Sequence, residues 1–213
     1  MNNLTPLGKL IIIGIIILIL VGVGILVWFW TRPAEEPTDE TPATTEAVIN
    51  GAISEYDFSM REYETVDKIK ALGLEGVPYL CEIVRENGNE EARFIAYVSL
   101  SGLGLENNAN QSTVLPCLRE GLNDTDDSLR AQAAQLLLNF GEKDGLAVLI
   151  EYLDDSSPLI PSEPPMNINE WASLVLADYT DADFGMDREE WQAWWDENKD
   201  TLKFDLSQQK FSL

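Results

Sequence analysis

The side chains able to do chemistry are of few kinds. There are 37 Asp and Glu against 14 Lys and Arg, and histidine is absent. Without an imidazole there is no Ser–His or Cys–His dyad and no histidine ligand for zinc. The two cysteines, Cys81 and Cys117, make no CxxC pair, so their spacing offers no thiolate metal site. The acids gather at Asp124, Asp126 and Asp127, at Asp154 and Asp155, and at Asp181, Asp183 and Asp187. "DTDD" and "DADFGMD" have the composition of calcium loops. Neither sets acids at alternate positions with a glycine sixth and a glutamate twelfth, as an EF-hand does. Helix capping accounts for most of them, since a carboxylate at a helix start accepts from free amides and meets the positive end of the dipole. No Gly-rich phosphate loop occurs. The expectation is a protein that is not an enzyme, with no catalytic residues, no cofactor and no metal.

The formal charge is −23. Residues 1–33 hold two basic and no acidic side chains, so residues 34–213 hold 12 basic and 37 acidic ones, a net of −25. That field repels phosphate backbones and excludes nucleic acid as a partner. It also repels anionic lipid headgroups. It favours solubility and attracts basic partners.

"LIIIGIIILILVGVGILVWFW", Leu10 to Trp30, is an uncharged run of 21 residues. At 1.5 Å per residue it is roughly 31 Å long, the thickness of a hydrocarbon core. It is too long for a signal-peptide core and lacks a small-x-small end, so it reads as a retained transmembrane helix. The short tail before it, residues 1–9, places the N-terminus in the cytoplasm and the larger part outside, with Lys9 and Arg32 nearly balancing the positive-inside rule. The anchor has no GxxxG signal for self-association. "TRPAEEPTDETPATTEA" follows, rich in Thr, Pro and acids, and residues 31–54 are expected to be an extended linker.

Internal repeats organise the rest. "PYLCEIV" from Pro78, "PCLREGL" from Pro116 and "AVLIEYL" from Ala147 align without gaps, matching Leu80, Leu118 and Leu149, then Glu82, Glu120 and Glu151. After each comes a second segment. "RFIAYVSLSGLG" starts at Arg93, "RAQAAQLLLNFG" at Arg130 and "NEWASLVLADYT" at Asn169, matching Ala96, Ala133 and Ala172, then Leu100, Leu137 and Leu176. Steps of three and four put these side chains on one helical face. Gly104 and Gly141 are expected as left-handed C-caps. Each unit is thus a helix pair, A then B, and Met60 to Gly73 reads as an unpaired B helix ahead of the first. On this alignment Cys81 and Cys117 occupy non-equivalent positions about 160° apart on an ideal helix. A disulfide is permitted outside the cytoplasm, but two buried free thiols are the expectation.

The segment "VLPCLREGLNDTDDSLRAQAAQLLLNFGEKDGLAVLIEYLDD", Val114 to Asp155, resembles HEAT repeats of the short bacterial kind, and the resemblance extends over about Val77 to Tyr179. The third unit departs from it: Asn169 replaces the arginine, and "SSPLIPSEPPMN" splits A from B. The resemblance implies an α-solenoid that works by binding protein, with B helices on the concave face. The short repeats also resemble HEAT-like bilin lyases, which implies as an alternative a ligand-binding accessory; a purely structural spacer is the third reading.

In "DREEWQAWWDENKD", Trp191, Trp194 and Trp195 lie at i, i+3 and i+4, one face of a helix. A solenoid's last unit needs a cap that is apolar inside and polar outside. The tryptophans therefore read as the inner face of a capping helix on the third B helix, near Trp171 and Tyr179, with Asp187 as N-cap and Glu190 completing a capping box.

The expected fold is all-α: an α-solenoid of HEAT-like helix pairs over residues 55–200, a Trp-rich terminal cap, a tail at residues 201–213, and one transmembrane helix at residues 10–30. The candidate partner-binding face is the polar edge of the B helices: Arg93, Arg130, Gln132, Gln135, Asn139 and Asp178. The expected function is that of a scaffold or adaptor for a protein partner, tethered to a bacterial cell membrane through the N-terminal helix and facing away from the cytoplasm.

Overall fold

Several helices in this chain begin where a short polar side chain precedes an apolar-periodic run. In the computed structural model, which describes residues 43–56, 62–86, 88–160, 162 and 164–213, Thr44, Asn89, Asp126 and Asp187 each accept a hydrogen bond from the amide three residues on. That satisfies one orphan donor per helix. The described helices are α1 (Thr45–Ser54), α2 (Glu62–Lys70), α3 (Val77–Glu86), α4 (Glu90–Glu106), α5 (Gln111–Glu120), α6 (Asp127–Leu138), α7 (Asp144–Glu151), α8 (Ile168–Tyr179) and α9 (Arg188–Asn198). A hairpin of β1 (Lys203–Asp205) and β2 (Lys210–Ser212) follows, pairing antiparallel with Phe204 opposite Phe211.

The helices pack as A–B pairs: α1 with α2, α3 with α4, α5 with α6, α7 with α8. The B helices α2, α4, α6 and α8 stack in sequence, and α3 stacks on α5. Three expectations change here. The linker expected over residues 31–54 is helical from Thr45, and its buried Ile49 and Ala52 tie it to the core. Helix α2 is therefore not unpaired, because α1 is its A partner. The 201–213 tail is the hairpin, whose Phe211 is 2% exposed and bridges to Thr180 at the end of α8. The expected membrane helix, residues 10–30, and the first part of the linker lie outside the described residues. No helix among the described residues is long and apolar enough to cross a membrane.

Helix α6 shows why the pattern is hydrophobic on more than one face. Leu129 and Leu137 belong to the apolar cluster of the first units, while Ala131, Ala134 and Leu138 belong to that of the last. A stacked helix must bury a side toward each neighbour. The side toward the next unit carries Phe94, Tyr97 and Ser101 in α4 and Ala131, Ala134 and Leu138 in α6, all buried. Tyr97 abuts Gly121 and Leu138 abuts Gly145, each in the following unit. The counterparts in α8 are Glu170, Ser173 and Ala177, which are exposed or half-exposed. The B layer stops where those positions turn polar or small.

The A layer ends with α9, which packs on α7. Trp191 is fully buried in the last core cluster, with Trp171, Trp194 and Trp195 packed against that cluster. Its indole Nε1 donates to the Gly185 carbonyl at 2.9 Å, and its ring meets Phe184 edge-on at 5.0 Å. The tryptophans thus plug a core, but the cap sits on the third A helix rather than the third B helix. The capping box expected at Asp187 is half-formed. Asp187 accepts from the Glu190 amide, while its own amide donates to Phe184 instead of to a glutamate. A glutamate returns the bond at α8, where the Glu170 carboxylate accepts from Asn167 N at 3.1 Å.

Of the two glycines expected as C-caps, Gly141 has φ +75° and follows α6 as required. Gly104 lies inside α4, which continues to Glu106. A β-carbon there would come within 2.9 Å of Val114 and Phe140 side chains, so its value is close approach, not a turn.

Candidate interaction surface

The six residues expected on the binding face do not share one environment. Arg93, at the start of α4, is 6% exposed. Its guanidinium forks onto Asp124 in the turn before α6, with Nε to Oδ2 at 2.8 Å and Nη2 to Oδ1 at 2.9 Å. Tyr97 Oη donates to the same carboxylate at 2.8 Å, and the Asp126 amide at 2.9 Å. Burial alone would raise the Asp124 carboxyl, but the bonds from Arg93, the Asp126 amide and Tyr97 outweigh it and hold it below its ordinary value. The Tyr97 hydroxyl is pushed upward by burial and then by its bond to Asp124. A carboxylate so low and so fully engaged is a poor proton acceptor. The cluster joins units and does not present Arg93 to a partner.

Arg130, the counterpart in α6, is also turned inward. It donates to Tyr152 Oη at 2.6 Å, to the Asp124 carbonyl and to the Asp127 carboxylate. The acids expected as caps divide their work accordingly. Asp126 and Asp187 cap helices, Asp124 and Asp127 receive arginines, and Asp155 and Asp183 close local turns with Ser157 and Gly185.

The insertion between α7 and α8 covers part of the expected face. Leu159 N donates to Met166 O and Ile168 N to Ser157 O, both at 2.9 Å, so the segment folds back as a narrow loop. It lies on α6: Ser128 Oγ accepts from Ile160 N at 3.1 Å, and Gln132 donates to the Ile160 carbonyl at 2.9 Å. Asn139 accepts from Tyr179 Oη at 2.5 Å. The Tyr179 hydroxyl is raised by burial and then by the nearby Asp178 charge. Gln132 and Asn139 thus hold neighbouring segments in place.

What remains open is smaller and more apolar. Gln135 is half-exposed on α6 and also hydrogen-bonds Tyr179, with Leu174 as its counterpart on α8. Leu174 is 59% exposed, and Asp178 one turn on is exposed. Ile160 at the tip of the insertion is 62% exposed. In the first unit Val98, counterpart of Gln135 and Leu174, is half-exposed, while the positions flanking it are closed off. Ile95, counterpart of Gln132, is fully buried, and Lys70 of α2 lies over Gly102, counterpart of Asn139. The most exposed large apolar side chains of the B-helix face therefore lie on the insertion and α8, next to α6.

Cys81 on α3 and Cys117 on α5 form a disulfide with Cα atoms 5.4 Å apart, correcting the expectation of free thiols. Two stacked helices touch through opposite sides. Positions about 160° apart on a common template are then the ones that face each other across the junction.

Residues 77–160 match the family model of HEAT repeats, and this segment is a HEAT repeat domain. The match opens at the first residue of α3 and ends at the tip of the insertion, before α8. The comparisons with curated proteins and with solved structures give no match.

Proposed function

We propose that this protein is a non-catalytic, membrane-tethered scaffold that holds a protein partner on the open face of α6, the insertion and α8. The observation that carries the reading is the exposure of two large aliphatic side chains, Leu174 on α8 and Ile160 on the insertion that lies on α6, within a HEAT-type stack. Apolar anchors rimmed by polar groups are the usual composition of a binding patch. The anchor would be Leu10–Trp30, and the domain would face away from the cytoplasm. The Cys81–Cys117 bond supports that side, since disulfides persist in oxidising compartments. Chemical crosslinking of the full-length protein in its native membrane, with a shortened chain ending at residue 42 as control, tests the reading. A partner crosslinked only to the full chain, through α6 or α8, is the expected result. Identical captures by both chains would reduce the domain to a spacer.

A further inference from the structure

The A layer is joined from unit to unit by arginines. Arg85 on α3 makes two hydrogen bonds of 2.7 Å to Glu120 on α5. Arg119 on α5 reaches Glu142 ahead of α7 at 2.8 Å, and Arg188 on α9 reaches Asp154 at 2.8 Å. The junction of α1 with α3 breaks the series. Glu82 is the repeat counterpart of Glu120, but α1, TEAVINGAIS, contains no basic residue to meet it. Glu46 on α1 and Glu86 on α3 add two more carboxylates, and none of the three has an ion pair among the described residues. Glu151, the third counterpart, also has no ion pair among the described residues, but Arg119 and Glu142 already join its junction. Between α1 and α3 lies an open groove of about 370 Å³, with Ile49, Ile83 and Tyr79 in its lining beside the carboxylates. Ile49 and Ile83 are buried and form its floor, and Tyr79 is half-exposed.

We propose that this groove receives an arginine- or lysine-bearing segment of a protein partner, supplying the cation that α1 lacks. The aliphatic stem of either residue would lie on Ile49 and Ile83. The charged head would sit among Glu46, Glu82 and Glu86, beside the Tyr79 ring. A bare metal ion is the poorer occupant, since no three carboxylates among the described residues converge closely enough to hold one. The proposal rests on the scaffold reading and adds the chemistry of the partner, at a place separate from the α6–α8 face.

The test is a titration of the full-length protein in mild detergent, at physiological ionic strength, with the fluorescent hexapeptide LRLRLA and its uncharged twin LQLQLA. The long-range field of so acidic a chain attracts any cation, so the comparison is between variants of equal charge. The pair Glu82→Gln with Glu86→Gln should weaken LRLRLA at least about tenfold. The pair Glu189→Gln with Glu197→Gln, on exposed positions of α9, should change it less than about twofold. Equal losses in the two variants, equal binding of the two peptides, or no saturable binding would overturn the groove. Crosslinks through α6 or α8 that persist under any of those outcomes would leave the scaffold reading standing.

Discussion

Arg93 and Asp124 are 31 residues apart in sequence and form a buried two-point ion pair between one repeat and the turn of the next. The pair also collects Tyr97 and the Asp126 amide, so one carboxylate fixes the spacing of two units. Removing the charge strands a buried guanidinium. Asp124→Asn should cost about 3–5 kcal/mol, the usual penalty for breaking a buried pair. Tyr97→Phe deletes one hydrogen bond and should cost about 1–2 kcal/mol. Urea unfolding of the three proteins checks both, and a cost for Asp124→Asn below that for Tyr97→Phe would deny the pair its role.

The same carboxylate sets an acid limit. Its folded value lies below its ordinary one, so the stability it contributes is complete above the unfolded value near pH 4. That stability is lost as pH falls through the folded value. Melting temperatures between about pH 6 and pH 2 should fall more steeply for the wild type than for Asp124→Asn. Parallel acid limbs would mean that other carboxylates dominate.

The disulfide closes a loop of 36 residues between the first two matched units. On the loop-entropy account it stabilises by about 3–4 kcal/mol. Reduction, or the double change Cys81→Ala with Cys117→Ala, should lower the urea midpoint accordingly. In protein isolated from its native membrane, neither thiol should react with an alkylating reagent under denaturing conditions until reductant is added. Alkylation of both without reductant would contradict the bond and its compartment.

Trp191→Ala removes the largest fully buried side chain of the terminal cap and its bond to Gly185. The expected cost is about 3–5 kcal/mol. Trp194→Ala, at a half-exposed position, should cost less. Thermal unfolding followed by far-UV circular dichroism ranks them. The reverse order would place the cap's weight on the wrong ring.

How much of this was legible follows from what each element rests on. The A–B pairs of units one to three stood in the sequence because Leu80, Leu118 and Leu149, and Leu100, Leu137 and Leu176, recur in fixed register and are all buried. The tryptophan spacing gave the cap's inner face, since i, i+3, i+4 geometry is local. Its seat on α7 depends on a long-range choice that the spacing does not contain. Helix α1 was hidden because its ten residues are too short to be stable alone and sit in a Thr- and acid-rich stretch; Ile49 and Ala52 hold it only through packing. Arg93 and Arg130 looked like surface charges because arginine usually is one. Their partners, Asp124 and Tyr152, come from other segments. The insertion's hold on Ser128 and Gln132 has no periodic signature, so the sequence overstated the open face.

The central claim is that a protein partner docks on the α6–α8 face. A photo-reactive residue in place of Leu174, compared with one in place of Glu189 on the outer side of α9, tests it in the native membrane. The account predicts a discrete protein adduct from position 174 that is absent from position 189 and is lost when Gln135 is changed to Ala together with Ile160→Asp. The same adducts from both positions, or none from position 174, would contradict it.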